Sequence, residues 1–278
     1  MKLRKVMALT LAGAMAAATL TACGGGADET TAAAAGADKE TTAAAEDKET
    51  TAAAADSGSA DAEVVLQVAF ENSITEPVGE GWTKAQEIIK EKSGGKMAIE
   101  VYPDSQLGDK SSLIDSMLLG ENVCTLADGA FYADYGVPDF GIVFGPFLFD
   151  NWDQCWTLIE SDWYKEQCGK LEEKGLKIIA SNWIYGERHT LTNVPVNTVE
   201  DLKGLKIRVP SNEIQSKGFD VLGATSTGMA LGDVYQALQT KTIDGAENPL
   251  ATLYGRKLHE VAKYLILDGH VKNFTKIG

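Results

Sequence analysis

The sequence predicts an α/β protein of two lobes, and three observations support this fold class. Strand-like and helix-like segments alternate along residues 64–278, beginning with a buried strand at Val64–Phe70 and an amphipathic helix that stops at Ser93-Gly94-Gly95. The alternation occurs in two sets that meet near residue 185. The chain of 278 residues is 44% apolar, which is enough to bury a core. A cleft between two such lobes is a usual place for a small ligand.

Each element of the first lobe, residues 64–185, is predicted from its own pattern of apolar residues. The pattern predicts, after the first strand and helix, a strand at Met97–Tyr102, a helix ending at Gly120, a short strand at Cys124–Ala127, one helical region from Trp152 to about Lys174, and a strand at Leu176–Ser181.

The second lobe, residues 186–278, repeats the alternation. The pattern predicts a strand at Glu187–Thr192, a short helix capped near Thr198, a strand at Lys206–Val209, helices at Ile214–Leu222 and around Val234 and Leu238, and a strand at Tyr264–Leu267.

The first 23 residues are typical of a lipoprotein signal peptide. Lys2, Arg4 and Lys5 precede an uncharged run from Met7 to Leu20, which is shorter than the roughly 20 residues of a membrane span. The run ends in Leu20-Thr21-Ala22-Cys23 and three glycines, which resembles a lipobox with Cys23 as the lipidated residue. The alternative is a plain signal peptide cleaved nearby. We therefore expect an extracytoplasmic chain that is anchored to the cell membrane.

Residues 24–63 form a predicted disordered linker. The segment repeats Glu-Thr-Thr followed by alanines, and it contains ten acidic residues, two lysines and almost no large apolar side chain. Such a composition cannot bury a core. We expect a spacer that holds the folded part away from a surface.

Charge and missing motifs exclude several classes of function. The formal net charge of −15 argues against a nucleic-acid binder, because phosphate contacts need a basic face. The sequence has no HExxH, GxSxG, phosphate-binding loop or CxxC motif, so it predicts no enzyme, cofactor or metal ion. Of the three histidines, His259 and His270 are expected at the surface or in the core, whereas His189 could either reach a ligand or face away.

Three cysteines remain after Cys23, namely Cys124, Cys155 and Cys168. Cys155 and Cys168 fall on one predicted helix, which would place them about 20 Å apart. Buried free thiols are therefore favoured over a disulfide, although exported proteins often pair their cysteines.

Arginine is scarce, and two of the four arginines lie in segments that together resemble a known family. The segments are Gly145–Phe149, Gly186–Asn193 with Arg188, Asp201–Pro210 with Arg208, and Asp244–Leu250, preceded by Glu91–Gly95, Val101–Pro103 and Gln106–Gly108. In order and spacing they resemble the extracytoplasmic solute receptors of TRAP transporters, the C4-dicarboxylate-binding type. The resemblance covers essentially all of residues 64–278.

The resemblance implies a periplasmic-binding-protein-like (type II) fold with a ligand cleft between the lobes, and it assigns roles to both arginines. Arg208 matches the arginine that pairs with the solute carboxylate, and a guanidinium fork fits a carboxylate. A surface ion pair is the alternative for Arg208. Arg188 matches an arginine that contacts the solute or braces the first one. Its alternative is a structural pair with an acid such as Glu187 or Asp233.

Three further residues are candidate ligand contacts. By resemblance, Asn248 contacts the solute through its amide, although Asn before Pro249 is also usual at the start of a helix. Glu71 follows the first strand, where the family has a loop at the mouth of the cleft. Trp183 could line the cleft, with Tyr185 beside it, but an aromatic residue on a strand is more often part of the core.

The sequence also departs from the family. Gly228-Met229-Ala230-Leu231-Gly232-Asp233 lacks two prolines and has aspartate where the family has glutamate, so we expect a pocket of different shape there. Family members continue well beyond Gly278 with a helical portion, so we expect the chain to be a fragment of a longer protein.

The sequence thus predicts a solute receptor that binds a small organic acid, a dicarboxylate or a sugar acid, and delivers it to the membrane permease subunits of a TRAP transporter. The alternative is a sensory receptor that presents the acid to a membrane signalling protein. An enzyme acting on carboxylates is a further alternative, against which the lack of a nucleophile–base set argues.

Overall fold

The structure is a computed structural model that describes residues 61–278. The predicted signal peptide, the lipidated Cys23 and most of the predicted linker at residues 24–63 lie outside the described residues. Among the residues that are described, no helix is long and apolar enough to cross a membrane.

The strands of residues 61–278 form one mixed sheet of eight strands. Their bounds are β1 (Val64–Ala69), β2 (Met97–Tyr102), β3 (Val123–Ala127), β4 (Ala180–Thr192), β5 (Lys206–Val209), β6 (Thr225–Gly228), β7 (Gly245–Pro249) and β8 (Tyr264–Ile277). The order in the sheet is β2-β1-β3-β8-β4-β7-β5-β6. β1 is parallel to both β2 and β3, and β5 is parallel to both β6 and β7. Each lobe is therefore built on a group of three parallel strands.

The two lobes are joined by β4 and β8, which are long antiparallel strands. At one end Leu126 of β3 pairs with Ile277 of β8, and at the other end Thr192 of β4 pairs with Tyr264 of β8. The pairing shifts register at Gly186, where φ is +132° and a Cβ atom would lie 2.9 Å from the Pro249 side chain, so glycine fits this bend best. The division predicted at residue 185 falls inside β4 and stays a prediction.

Helices cover the sheet in both lobes. The α-helices are α1 (Pro77–Lys92), α2 (Lys110–Leu118), α3 (Gly129–Asp134), α4 (Trp152–Glu160), α5 (Asp162–Glu172), α6 (Glu213–Asp220), α7 (Val234–Gln239), α8 (Leu250–Gly255) and α9 (Leu258–Val261), with 3₁₀ turns at Pro138–Phe144, Val199–Leu202 and Leu231–Asp233. In the first lobe, buried Val68, Trp82 and Ile99 pack β1 and β2 against α1. In the second lobe, buried Val234 and Leu238 of α7 pack in a cluster with Ala246 of β7. Each lobe thus has its own core.

The lobes touch each other outside the shared strands. Arg256 Nη1 of the second lobe lies 3.0 Å from Asp104 Oδ1 of the first lobe. The backbone N–H of Glu213 donates to Asp134 Oδ2 at 3.2 Å. The cleft between the lobes is therefore bridged by polar contacts in this structure.

The single helical region predicted from Trp152 to about Lys174 is wrong, because it is two helices. Ser161 ends α4 and begins α5, with an extended backbone and a side-chain oxygen that accepts the N–H of Tyr164. Cys155 and Cys168 therefore lie on different helices, and the separation of about 20 Å expected along one rod no longer applies. All three cysteines are free thiols, and Cys124 and Cys155 are buried as expected, whereas Cys168 is only partly buried.

Two strands of the sheet are longer than predicted. The strands predicted at Leu176–Ser181 and Glu187–Thr192 are one strand, Ala180–Thr192, so the first was predicted to start four residues too early. The strand predicted at Tyr264–Leu267 continues to Ile277. Glycine and polar residues interrupt the apolar pattern of both strands, although their backbones continue to pair in the sheet.

Lys276 of β8 is a buried cation in the core of the first lobe. Its Nζ atom donates to the carbonyl of Phe274 at 3.1 Å and lies 4.0 Å from the centroid of the Phe274 ring. The side chain is completely buried. Burial lowers the pKa of Lys276 to about 7, and the charge of Asp128 only partly opposes this effect.

Replacing Lys276 should change how stability depends on pH. Between pH 7 and 10.5 the unfolded chain binds a proton at Lys276 that the folded chain does not, so Lys276 makes the free energy of unfolding rise with pH. Relative to wild type, Lys276→Met should lose about 2 kcal/mol of that rise between pH 7 and pH 9 and be the more stable protein at pH 7. Urea denaturation at the two pH values measures this, with Lys165→Met as an exposed control. Equal slopes for wild type and Lys276→Met would contradict the prediction.

Candidate ligand-binding site

The carboxyl ends of the parallel strands carry the candidate residues. Glu71 and Asn72 follow β1, Asp128 follows β3, Arg208 is the penultimate residue of β5, and Asn248 is the penultimate residue of β7. Because β1 and β3 are parallel, and β5 and β7 are parallel, each lobe brings its own members to one edge of its sheet. Ligands of α/β sheets bind at such carboxyl edges.

Arg208 is a buried cation without an acidic partner at ion-pair distance among the described residues. It is 2% exposed, and its Nε and Nη2 atoms both donate to the carbonyl of Met229, at 2.9 and 2.6 Å. Burial lowers the pKa of Arg208, and the charges of Glu71 and Glu247 oppose this effect. The surface ion pair considered for Arg208 is therefore wrong, because the side chain is inside.

Asn248 presents a buried polar atom that has no partner. It lies in β7 opposite His189 of β4 and is 3% exposed. Its Oδ1 atom is buried without a hydrogen bond to the described residues. The alternative of a helix cap is wrong, because Pro249 stands at the cap of α8 and Asn248 is still in the strand. A buried polar atom without a partner needs an explanation, and a ligand would supply one.

Arg188 has an acidic partner, unlike Arg208. Its Nε and Nη2 atoms donate to the two oxygens of Glu247, at 2.5 and 2.7 Å, and both side chains are buried. Its guanidinium also lies 5.5 Å from the centroid of the Phe144 ring. Burial disfavours the charged guanidinium, but Glu247 outweighs burial and raises the pKa of Arg188. The sequence offered Glu187 or Asp233 as structural partners, and the structure has Glu247 instead.

His270 extends this pair into a network that reaches β8. Its Nε2 atom is 3.3 Å from Glu247 Oε2, and its Nδ1 atom is 3.2 Å from Asp268 Oδ2. Burial opposes the charge on His270, but the neighbouring carboxylates of Asp268 and Glu247 outweigh burial and raise its pKa to about 9. His270 thus stabilises the fold fully below its unfolded pKa of 6.5, and this stabilisation is lost as the pH rises through 9. His189 Nδ1 accepts a hydrogen bond from the N–H of Gly269, so this ring nitrogen is used in a contact with β8.

On the first lobe, Glu71 reaches across the cleft. It is 7% exposed, and its Oε1 atom accepts the N–H of Leu231 at 3.1 Å. Its Oε2 atom lies 3.6 Å from Lys110 Nζ at the start of α2. Leu231 is two residues from Met229, whose carbonyl accepts hydrogen bonds from Arg208. Glu71 of the first lobe and Arg208 of the second lobe therefore both bind the backbone of the same short segment.

The aromatic residues Trp183 and Tyr185, both on β4, have different surroundings. Tyr185 forms hydrogen bonds with Asn72, at 2.9 Å, and with Thr252, at 3.2 Å, and so links the two lobes. The ring of Trp183 instead stacks on Trp82 of α1, with centroids 5.1 Å apart, in the core of the first lobe. The structure thus packs the partly buried Trp183 against the core of the first lobe, which is close to the alternative for this residue.

Sequence reasoning missed Glu247, Lys110 and Asp128. Glu247 directly precedes Asn248 in a segment already singled out, but only the pairing of β4 with β7 brings it to Arg188. Asp128 follows β3 as Glu71 follows β1, so the same positional signal could have found it. Lys110 gave no signal, because lysines are common on exposed helices.

The fold and this site define a class of protein. Two α/β lobes that share one sheet through the long strands β4 and β8, with polar groups at the carboxyl ends of the parallel strands of each lobe, form a two-lobed periplasmic-binding fold. Residues 68–275 match the family described as bacterial extracellular solute-binding protein, family 7 (DctP). The chain belongs to this family.

Relatives and solved structures agree with the family. The chain is 31% identical to the sialic acid-binding periplasmic protein SiaP of Vibrio cholerae over 222 residues, which are 78% of this chain and 67% of SiaP. It is 31% identical to the C4-dicarboxylate-binding periplasmic protein DctP of Rhodobacter capsulatus, covering 70% of this chain and 58% of that protein. The chain thus spans about two thirds or less of these relatives.

Two solved structures of TRAP periplasmic solute-binding proteins resemble the fold. One, from Ochrobacterium anthropi with bound L-fuconate, has a TM-score of 0.75 and 42% identity and covers 77% of this chain and 71% of its own. The other, from Actinobacillus succinogenes with bound L-galactonate, has a TM-score of 0.75 and 35% identity over 77% of this chain and 70% of its own.

Removing the acid from the buried network should destabilise the fold strongly. Glu247→Gln leaves the Arg188 guanidinium buried without a counter-charge, so the free energy of unfolding should fall by about 3–5 kcal/mol at pH 7. The matched control is Glu187→Gln, which removes a half-exposed acid 3.0 Å from Lys272 and should change stability by less than about 1 kcal/mol. Chemical denaturation of both variants measures the difference, and similar losses in the two would refute a structural role for the Glu247 charge.

Proposed function

We propose that this chain is the solute receptor of a TRAP-type transporter and that it binds an organic acid by pairing Arg208 with the ligand carboxylate. The observation that carries the proposal is the buried Arg208 guanidinium, which has no acid at ion-pair distance among residues 61–278. A buried cation is strongly stabilised when an anion reaches it in a site that excludes water. A planar fork with parallel N–H groups selects a carboxylate geometrically.

Neighbouring groups support this assignment. The unpartnered Oδ1 atom of Asn248 at the adjacent strand end can accept a hydrogen bond from a ligand hydroxyl. Arg188 is neutralised by Glu247, which binds its Nε and Nη2 atoms. Its proposed role is therefore to support the site and to contact the solute through its remaining N–H groups. Glu71 stands on the opposite lobe, where it can meet the ligand when the lobes close. Trp183 has a core role in this proposal.

The relatives support an organic acid as the ligand. The curated relatives are named for sialic acid and C4-dicarboxylates, and the similar solved structures carry L-fuconate and L-galactonate. All of these compounds carry a carboxylate. The proposed sequence of events is closure of the lobes over the acid, docking on the membrane permease subunits, and release on opening.

In this proposal the signal peptide directs the receptor out of the cytoplasm, Cys23 carries the lipid anchor, and residues 24–63 are the spacer. The name of the family, an extracellular solute-binding family, agrees with an extracytoplasmic location. The proposed role is binding and delivery without catalysis. Mass spectrometry of the N-terminal peptide tests the anchor, since a diacylglycerol adduct on Cys23 is expected and an unmodified Cys23 would contradict it.

Changing Arg208 should abolish binding while the fold survives. Calorimetry with a panel of sugar acids and dicarboxylates should show binding to wild type and a loss of at least about 100-fold in Arg208→Ala. Arg208→Lys keeps a charge but loses the fork, so its affinity should fall at least about tenfold. Lys217→Ala, at an exposed ion pair, is the control and should bind like wild type. Thermal melts near that of wild type show that the variants fold, and retained affinity in Arg208→Ala would contradict the assignment.

A further inference from the structure

One side of α8 lies against the first lobe. Thr252, Gly255 and Arg256 are spaced i, i+3 and i+4, which places them on one side of α8 and of the turn that ends it. Each of the three meets a different group of the first lobe. Because α8 directly follows β7, and Asn248 is the penultimate residue of β7, this side of α8 moves together with the proposed ligand site.

Thr252 makes a buried polar contact with the first lobe. Its side chain is 2% exposed, and its Oγ1 atom lies 3.1 Å from Asn72 Nδ2, in the loop after β1. The same oxygen forms a hydrogen bond with the hydroxyl of Tyr185. These contacts form only while the two lobes are together, so they favour the closed arrangement.

Arg256 makes a charged contact at the rim of the cleft. Its Nη1 atom lies 3.0 Å from Asp104 Oδ1, and the two side chains are 17% and 46% exposed. The N–H of Asp104 donates to the carbonyl of Asn72 at 2.9 Å, so this acid is fixed to the same loop that meets Thr252. An ion pair that is partly exposed stabilises the closed arrangement only modestly.

Gly255 makes the closest approach between the lobes. A Cβ atom at this position would lie 2.5 Å from Glu76 Cγ and 2.9 Å from Glu76 Cδ. Glu76 is 2% exposed and is fixed, because its two oxygens accept hydrogen bonds from Asn72 Nδ2 at 2.7 Å and from the N–H of Ser73 at 3.0 Å. The φ angle of Gly255 lies outside the left-handed region, so its backbone would accept alanine. Glycine is therefore required here by the distance between the lobes.

We propose that Thr252, Gly255 and Arg256 form an interlobe latch that sets how far and how often the lobes close over the ligand. This inference rests on the proposed function, because it takes the closed arrangement to be the one that binds the ligand. The latch acts on the fraction of the protein that is closed and does not contact the ligand. A weaker latch therefore lowers the apparent affinity for every acid by the same factor.

The main test compares two glycine-to-alanine variants of the full chain. Gly255→Ala places a methyl group against Glu76 and should reduce the closing equilibrium about tenfold, because overpacking of this kind is costly. Gly169→Ala is the matched control. Gly169 is an exposed residue of α5, and a Cβ atom there would have no neighbour within 4 Å, so this variant should behave like wild type.

Two measurements together report the closing equilibrium. Calorimetry with a panel of sugar acids and dicarboxylates gives the loss of affinity. Hydrogen exchange of the Leu231 N–H, followed by NMR on the ligand-free protein, reports opening, because this N–H donates to Glu71 across the cleft. A mostly open protein loses affinity, whereas a mostly closed one exchanges faster. The product of the two factors should be about ten for Gly255→Ala and about one for Gly169→Ala.

Arg256→Gln weakens the latch without adding bulk. Because the ion pair with Asp104 is partly exposed, the product of the two factors should be about two to three. Asp104→Asn should have the same effect, and the double variant should lose little more, because both changes remove one contact. If thermal melts show that Gly255→Ala does not fold, these two variants decide the question, and products near one in both overturn the inference.

The outcomes separate this inference from the proposed function. A product near one for a folded Gly255→Ala overturns the latch while the receptor function stands. Losses of affinity that differ by more than about threefold among the acids also overturn it, because a latch lowers all affinities equally. If wild type binds no acid of the panel, the proposed function fails. The latch is then judged by exchange alone, and unchanged exchange of Leu231 in Gly255→Ala overturns it.

Discussion

The guanidinium of Arg208 is the constraint on which the site depends. It is buried with only the carbonyl of Met229 as a direct partner, so its charge is poorly compensated in the described part of the chain. Burying such a charge is unfavourable by several kcal/mol, and much of that free energy is recovered when an anion arrives. The fold thus keeps a destabilising group at the place where a ligand carboxylate would stabilise it. If Arg208 binds the ligand as proposed, stability and binding are coupled through this side chain.

The second buried arginine, Arg188, stabilises the fold through an ion pair. Arg188 is also buried, but Glu247 neutralises it and His270 extends the network to β8. The three residues come from β4, β7 and β8, so the network holds the strands that pass between the lobes. Arg188 is therefore committed to the framework, whereas Arg208 is the arginine that we propose to bind the ligand. The difference between the two arginines follows from strand pairing, because the pairing of β4 with β7 brings Glu247 next to Arg188.

The sequence predicted local features better than long-range ones. The strands β1, β2, β3 and β5 were predicted within one or two residues because their apolar patterns are local. The scarcity of arginine pointed to Arg208 and Arg188, but Glu247 was missed because only the pairing of β4 with β7 brings it to Arg188. The break at Ser161 was missed because apolar residues recur on both sides of it. Long strands such as β8 were cut short where polar residues are buried by partners distant in sequence.

The most direct test of the account is a crystal structure of the protein with a bound sugar acid. The account predicts one carboxylate oxygen or both within about 3 Å of the Arg208 guanidinium nitrogens, with Asn248 in contact with the ligand and Arg188 still paired with Glu247. A ligand whose carboxylate lies on another cation, with Arg208 still bound only to Met229, would contradict it.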